Sequence, residues 1–375
     1  MRPLPNVPEP VSSGLKKIPS PRVLILGGTG VFGSRLARML IEDDRDVTVT
    51  SRTLARAQAF TQTYGGTPLA LDRDADLRPV LASFDVLVDA AGPFQNYHGD
   101  PYNVARQTVE AGVHYLDLSD DAAFTAGISE LEKLAQSQGV ACLSGVSSVP
   151  AISSAAVTGL AREMDAIRKI ETAILPGNRA PRGLSVMQAI LGQIGAPLKV
   201  MRDGAWQELR GWSEPKSYAL APDLKRNAAL IGAPDLGLFP SHYSAETVEF
   251  RAGLELGVMQ YSLAITGWLR ARGLFPNPAR FAKPLQWIAS WLEPFGSDRG
   301  GMVVQVEAHS GVRKSWTLLA EAGDGPFIPA IPAVIAINKL AKGTLPAGAR
   351  PALDVFTLEE AELELSRLNV TCTHG

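Results

Sequence analysis

Four consecutive apolar residues, Val23-Leu24-Ile25-Leu26, end at a glycine-rich turn, after which apolar positions recur at helical spacing at Phe32, Leu36, Met39 and Leu40. A short unbroken apolar run suits a strand covered on both faces of a parallel sheet, and the three-to-four-residue repeat suits an amphipathic helix. That helix would turn Arg35, Arg38 and Glu42 to solvent. The same alternation continues along the chain. Further strands are predicted at 46–50, 68–71, 84–89, 113–117 and 139–143, with helices at 53–63, about 100–111 and 119–138 between them. Strands and helices in strict alternation build an α/β doubly wound parallel sheet. The small-residue stretch Ser144–Pro150 breaks the pattern before a new helix near Ala151.

The second half reads differently. Residues 167–175 return to strand character, 183–194 to a helix, and 197–212 alternate apolar and polar around Asp203-Gly204, a strong hairpin signal. Val304, Val306 and Ala308 alternate with Gln305 and Glu307, and the alternation resumes at Trp316, Leu318 and Ala320 beyond a Ser310-Gly311 turn. One buried face per strand predicts a mostly antiparallel sheet with helices on one side, an α+β domain. Between the hairpins, 254–269 is apolar almost all round, and Phe281, Leu285, Ile288 and Leu292 form a stripe beside Trp287 and Trp291. The favoured reading is a buried helix pair that walls a pocket or a homodimer interface. It is favoured because Glu255 and Gln260 leave the apolar run too short to span a bilayer; the alternative is a peripheral membrane contact through 254–292, made by the tryptophans and apolar surface.

Composition narrows the classes. The chain has 375 residues, 46% hydrophobic and 20% charged, enough for two domains of an ordinary globular protein. A net charge of −2 gives no general attraction to nucleic acid. The two cysteines, Cys142 and Cys372, are far apart and lack metal-ligand spacing, which fits reduced thiols in a cytoplasmic setting and no metal site. Six prolines among the first 21 residues and no continuous apolar segment read as a flexible arm over 1–20.

The chemistry gathers at the first turn. Gly28, Gly30 and Gly33 fit G-x-G-x-x-G, and Gly27, Gly30 and Gly33 fit G-x-x-G-x-x-G, with Thr29, Val31 and Phe32 between. Between a strand and a helix, this spacing lets backbone approach a pyrophosphate and leaves helix N–H groups facing it. The second strand ends in Ser51-Arg52 where an NAD-preferring site carries an acid, so Arg52 is placed for a 2′-phosphate and NADP(H) is favoured over NAD(H). Asp72, after the third strand, can bond an adenine amino group or cap the next helix. Ala91, Gly92, Pro93 and Phe94 follow the fourth strand and should line the same crevice. Tyr97, in that loop, is the best proton-donor candidate for hydride transfer to a small-molecule substrate. No tyrosine has a lysine four residues on, and none of the five histidines has neighbours that complete a catalytic arrangement, so structural roles are assigned to His98, His114, His242, His309 and His374.

The segments VLILGGTGVFGSRLARML, DAAGPFQNYHGDPYNVARQTVEAGVHYLDLSDD and LSGVSSVPAISS resemble the saccharopine dehydrogenase-like oxidoreductases, the second most specifically, and a weaker likeness continues to about 355. The resemblance implies a Rossmann NAD(P)-binding domain, here 21–150, then an α+β substrate and dimerisation domain, 151–355, with a C-terminal helix and tail at 356–375 packing back on the first domain. With the preference for NADP(H) read from Ser51-Arg52, the expectation is an NADP-dependent oxidoreductase acting on a small or lipid-like substrate, the reaction itself not being fixed by the resemblance. Saccharopine is disfavoured, since the second half shows no evident arginine and histidine cluster for several carboxylates. Two alternatives stand beside this: a dinucleotide-binding regulatory or scaffold protein without catalysis, and a membrane-associated, lipid-directed enoyl reductase.

Overall fold

A computed structural model describes residues 20–97, 99–181, 183–275 and 278–375; residues 1–19 of the expected arm, and His98, lie outside these. The chain divides into two compact units. One runs to Ile152 and resumes over Pro329–Phe356; the other comprises Ser153–Ile328 and Thr357–Gly375.

In the first unit the strands are β1 (Val23–Leu26), β2 (Val47–Ser51), β3 (Thr67–Ala70), β4 (Val86–Asp89), β5 (His114–Asp117) and β6 (Ala141–Ser144). All pair in parallel, in the order β6-β5-β4-β1-β2-β3, and Gly348–Pro351 adds a seventh strand outside β6. Every residue of β1, β2, β4, β5 and β6 is buried, as expected for a sheet covered on both faces. Leu24, Leu26, Leu87, Tyr115 and Cys142 pack with Val109, Phe124 and Leu131 from the helices over one face. The winding reverses between β1 and β4, and such a reversal opens a crevice at the carboxyl ends of those strands.

Local readings are adjusted at two places. Helix α1 (Val31–Glu42) buries Leu36, Met39 and Leu40 and exposes Glu42, but Arg35 and Arg38 are half-buried. Arg38 lies 4.9 Å from the centre of the Tyr64 ring, and Arg35 Nη1 donates to the Val31 carbonyl at 2.5 Å. The helix expected over 119–138 is Ala122–Gly127, a 3-10 turn and Glu132–Gln138.

The second unit holds a nine-stranded sheet. Ile167–Leu175 lies parallel to Thr247–Gly253 and antiparallel to Gly300–Ala308; the other pairings are antiparallel. Both expected hairpins form, Pro197–Arg202 with Ala205–Arg210 and Gly300–Ala308 with Arg313–Ala320. Asp203 and Gly204 both take positive φ, 51° and 76°, which a tight two-residue hairpin requires.

Three expectations are corrected. Residues 329–356 join the parallel sheet's unit, contributing the helix Ile331–Lys342 and the seventh strand. The tail from Thr357 belongs to the second unit: Val370–His374 pairs with Arg313–Ala320, and Trp316 Nε1 donates to Glu362 at 2.8 Å. The helices Gly257–Ala271 and Ala282–Leu292 are not buried within the chain, since Val258, Tyr261, Ile265, Trp268, Trp287 and Trp291 are all exposed, an exposure that a homodimer interface also requires of one chain. No helix among the described residues is long and apolar enough to cross a membrane.

Candidate cofactor site

The turn between β1 and α1 is built from backbone packed on backbone. Gly27 sits at φ +67°, and a Cβ there would stand 2.8 Å from both the Ala90 carbonyl oxygen and Ala91 Cα. The loops after β1 and β4 therefore touch through Gly27 itself. The Gly30 N–H donates to the Gly27 carbonyl at 2.8 Å and closes the turn. A Cβ on Gly33 would fall on that same carbonyl oxygen, so α1 sits against the turn only because residue 33 has none. Gly28 is held under Val49 of β2, 2.8 Å from where its Cβ would lie. Gly30 is exposed and caps α1 without a side-chain hydrogen bond. The first-turn N–H groups, from Val31, Phe32 and Gly33, thus face outward where an anion can accept them. Thr29, Val31 and Phe32 are half-buried around this opening.

At the end of β2, Ser51 is buried and Arg52 exposed, and Arg52 makes no hydrogen bond or ion pair among the described residues. Its guanidinium is available to a phosphate. Asp72 is exposed, and its Oδ1 accepts the Asp74 N–H at 3.2 Å. It does not cap the next helix, Arg78–Leu81, whose N-cap is Leu77.

The loop after β4 is organised by Asp89, which has no glycine-type motif to mark it in the sequence. Asp89, the fully buried last residue of β4, accepts the Ala91 N–H at 2.9 Å and the Tyr97 hydroxyl at 2.6 Å. Arg73 completes the arrangement: Nη1 donates to the Ala91 carbonyl at 2.8 Å, and the guanidinium lies 4.1 Å from the centre of the Tyr97 ring. Phe94 and Tyr97 stack at 5.4 Å, and both rings meet Phe124. Gly92 and Pro93 bridge the span from Ala91 to Phe94. The hydroxyl of Tyr97, the proton-donor candidate, is therefore engaged within the chain. Burial, and then the Asp89 charge, hold its phenol far above the ordinary range, and its proton is engaged by Asp89. Tyr97 fixes the loop. The signal in the sequence was an acid closing an otherwise apolar strand, VLVD.

Asp117 repeats this at the end of β5, in register with Asp89. Its Oδ1 accepts from Ser119 N–H at 2.9 Å, Gly145 N–H at 2.8 Å and Ser144 Oγ at 3.0 Å, while Oδ2 is buried with no hydrogen bond. Burial raises its pKa to about 7, with a smaller upward push from Asp89, against the downward pull of those donors. The native state thus keeps a proton that the unfolded chain, at the ordinary 3.8, has lost. Stability contributed here falls as pH rises between those two values. Asp117→Asn retains an acceptor for the three donors and removes the titration. The substitution should stabilise the protein roughly 2–3 kcal/mol more at pH 8 than at pH 5, by denaturant unfolding. An equal effect at both pH values would show the carboxyl to be ionised throughout.

Among the histidines, His114 is buried on β5, accepts the Ala141 N–H on Nδ1 at 3.0 Å, and is held neutral by burial, which lowers its pKa to about 4. In the second unit His374 Nε2 meets Glu362 at 2.8 Å and His309 lies 3.9 Å from Glu246.

Residues 23–143, which contain the turn, the β4 loop and both buried aspartates, match the family model for the saccharopine dehydrogenase NADP binding domain. The matched segment is about a third of the chain. Over most of its length the chain also shares a fold with an apo histidine-tagged saccharopine dehydrogenase (L-Glu forming) from Saccharomyces cerevisiae. The match has a TM-score of 0.63 and 17% identity, covering 95% of this chain and 100% of that one. A glutamyl-tRNA reductase from Cenarchaeum symbiosum (strain A) is 33% identical over 122 residues, 31% of this chain. The matching segment spans only 28% of that enzyme.

Proposed function

We propose that the protein is an NADP(H)-dependent oxidoreductase that transfers hydride to or from a small or lipid-like substrate. The observation that carries this is the cradle at Gly27–Gly33: an uncapped helix start beside a turn whose backbone would be blocked by side chains. In this reading the α1 N–H groups hold the pyrophosphate, Ser51 and Arg52 take the 2′-phosphate, and the 90–94 loop, braced by Asp89 and Arg73, flanks the cofactor. A bound nicotinamide supplies the hydride, and the chain supplies binding, orientation and shielding from water.

Isothermal titration tests the binding, with NADPH expected to bind more tightly than NADH. Arg52→Ala should weaken NADPH roughly tenfold to hundredfold, the worth of a charge-assisted hydrogen bond, and leave NADH unchanged. Equal losses for both would remove Arg52 from the 2′-phosphate, and no binding of either would end the proposal. The engagement of Tyr97 by Asp89 favours a second reading, a dinucleotide-binding regulatory or scaffold protein without catalysis. Steady oxidation of NADPH with a carbonyl, imine or enoyl compound would exclude it.

A further inference from the structure

The helices Gly257–Ala271 and Ala282–Leu292 carry the largest set of exposed apolar side chains in the second unit: Tyr261 at 71%, Trp268 at 53%, Trp287 at 61% and Trp291 at 66%, with Phe295 at 75% just beyond. Isolated exposed apolar residues are ordinary, but two successive helices that expose three tryptophans, Trp287 and Trp291 with ring centres 4.8 Å apart, mark a surface that meets something. The charges say what. Residues 257–295 contain Arg270, Arg272, Arg280 and Lys283 against one acidic residue, the exposed Glu293, in a chain whose net charge is −2. Arg270 is spent on structure, donating to the Gly192 and Ile194 carbonyls at 2.7 Å each. Arg272 lies 3.6 Å from the centre of the Trp268 ring, and Arg280 and Lys283 are exposed.

A second copy of the chain fits this face poorly. A two-fold interface would bring this net-positive patch against the same patch of the other copy, with only Glu293 on each side to offset the cations. Tryptophans with basic residues around them match the interfacial zone of a bilayer, where indole sits at headgroup depth and lysine or arginine meets lipid phosphate. We infer that these two helices dock the protein on an anionic lipid surface, with Trp268, Trp287 and Trp291 as anchors and Arg272, Arg280 and Lys283 as the electrostatic contribution. The inference is independent of the dinucleotide reading.

Flotation of the full chain with vesicles of phosphatidylcholine, alone or mixed with phosphatidylglycerol, tests it. The protein should float with the mixed vesicles, more weakly at high salt, and far less with phosphatidylcholine alone. Arg280→Ser with Lys283→Ser should weaken binding roughly 20-fold, about fivefold per charge. Trp287→Ser with Trp291→Ser should abolish flotation. Both pairs are exposed, so the melting temperature and NADPH titration should match those of the parent. The inference is overturned if the parent protein does not float with mixed vesicles, or if neither pair changes flotation. It is also overturned if sedimentation equilibrium shows a dimer that the tryptophan variant converts to monomer, since the face would then be a subunit interface.

Discussion

Gly33→Ala should cost about 1–3 kcal/mol of stability in the nucleotide-binding unit and at least roughly tenfold in NADPH affinity. The new Cβ would fall on the Gly27 carbonyl oxygen, with the Gly27 carbonyl carbon and Gly28 Cα both at 3.0 Å. All three are backbone atoms, so no side chain can rotate away and either α1 or the turn must move. The turn cannot move freely, because Gly27 is packed on Ala90 and Ala91. The displacement therefore reaches the N–H groups assigned to the pyrophosphate. Gly30→Ala separates the two effects. Its Cβ meets only the Gly27 oxygen, at 3.0 Å, and otherwise stands at the exposed mouth of the turn. That variant should fold nearly as well as the parent and still bind NADPH poorly. If both variants bind NADPH like the parent, the nucleotide does not sit on this turn.

Elements set by local pattern were legible in the sequence. Val23–Leu26, the periodic helix after it and the two hairpins declare themselves within a few residues, through apolar runs, helical spacing and positive-φ turn residues. Elements set by distant pairing were not. Gly348–Pro351 has no apolar run and becomes a strand because Ala141–Ser144 lies beside it. Burial was harder still. Periodicity reports that a helix has an apolar face but not what covers it, which is why the pattern over 254–292 fits a pocket wall, a homodimer interface and a membrane contact alike. At the candidate site, the glycines and Arg52 were readable because spacing and strand position carry their meaning. Asp89, Asp117 and Arg73 were not, because their roles depend on which strand ends meet. The same holds for a buried ion-pair cluster in the second unit. Lys169, Arg202, Lys216 and Arg251 come from four separate strands, so no sequence window contains them, and Glu171, Glu214 and Glu249 engage them all.

That cluster is where Arg251→Met should cost roughly 3–5 kcal/mol at pH 7, the usual consequence of stripping a buried carboxylate of its partner. Glu171 and Glu249 face each other in register on the adjacent strands Ile167–Leu175 and Thr247–Gly253, both buried, a pairing that is repulsive by itself. Cations offset the repulsion. Arg251 Nη1 donates to Glu249 at 2.8 Å, Arg202 Nε to Glu249 at 2.7 Å, and Lys169 bridges the two carboxylates at 3.1 and 3.2 Å. Lys216 and the Tyr218 hydroxyl both donate to Glu171. Burial alone would raise the Glu249 pKa, but the Arg251 hydrogen bond and charge, followed by Lys169 and Arg202, bring it down to about 2 from the ordinary 4.5. A depressed native pKa contributes stability that is present above 4.5 and is lost as pH falls towards 2. Removing Arg251 removes much of what is lost on that limb. The gap between parent and variant in urea unfolding should therefore be large at pH 7 and narrow by pH 3. A gap below about 1 kcal/mol at pH 7, the value of an exposed pair, would mean that Lys169 and Arg202 suffice to hold the glutamates. A gap unchanged at pH 3 would mean that Arg251 acts through its packing and not its charge.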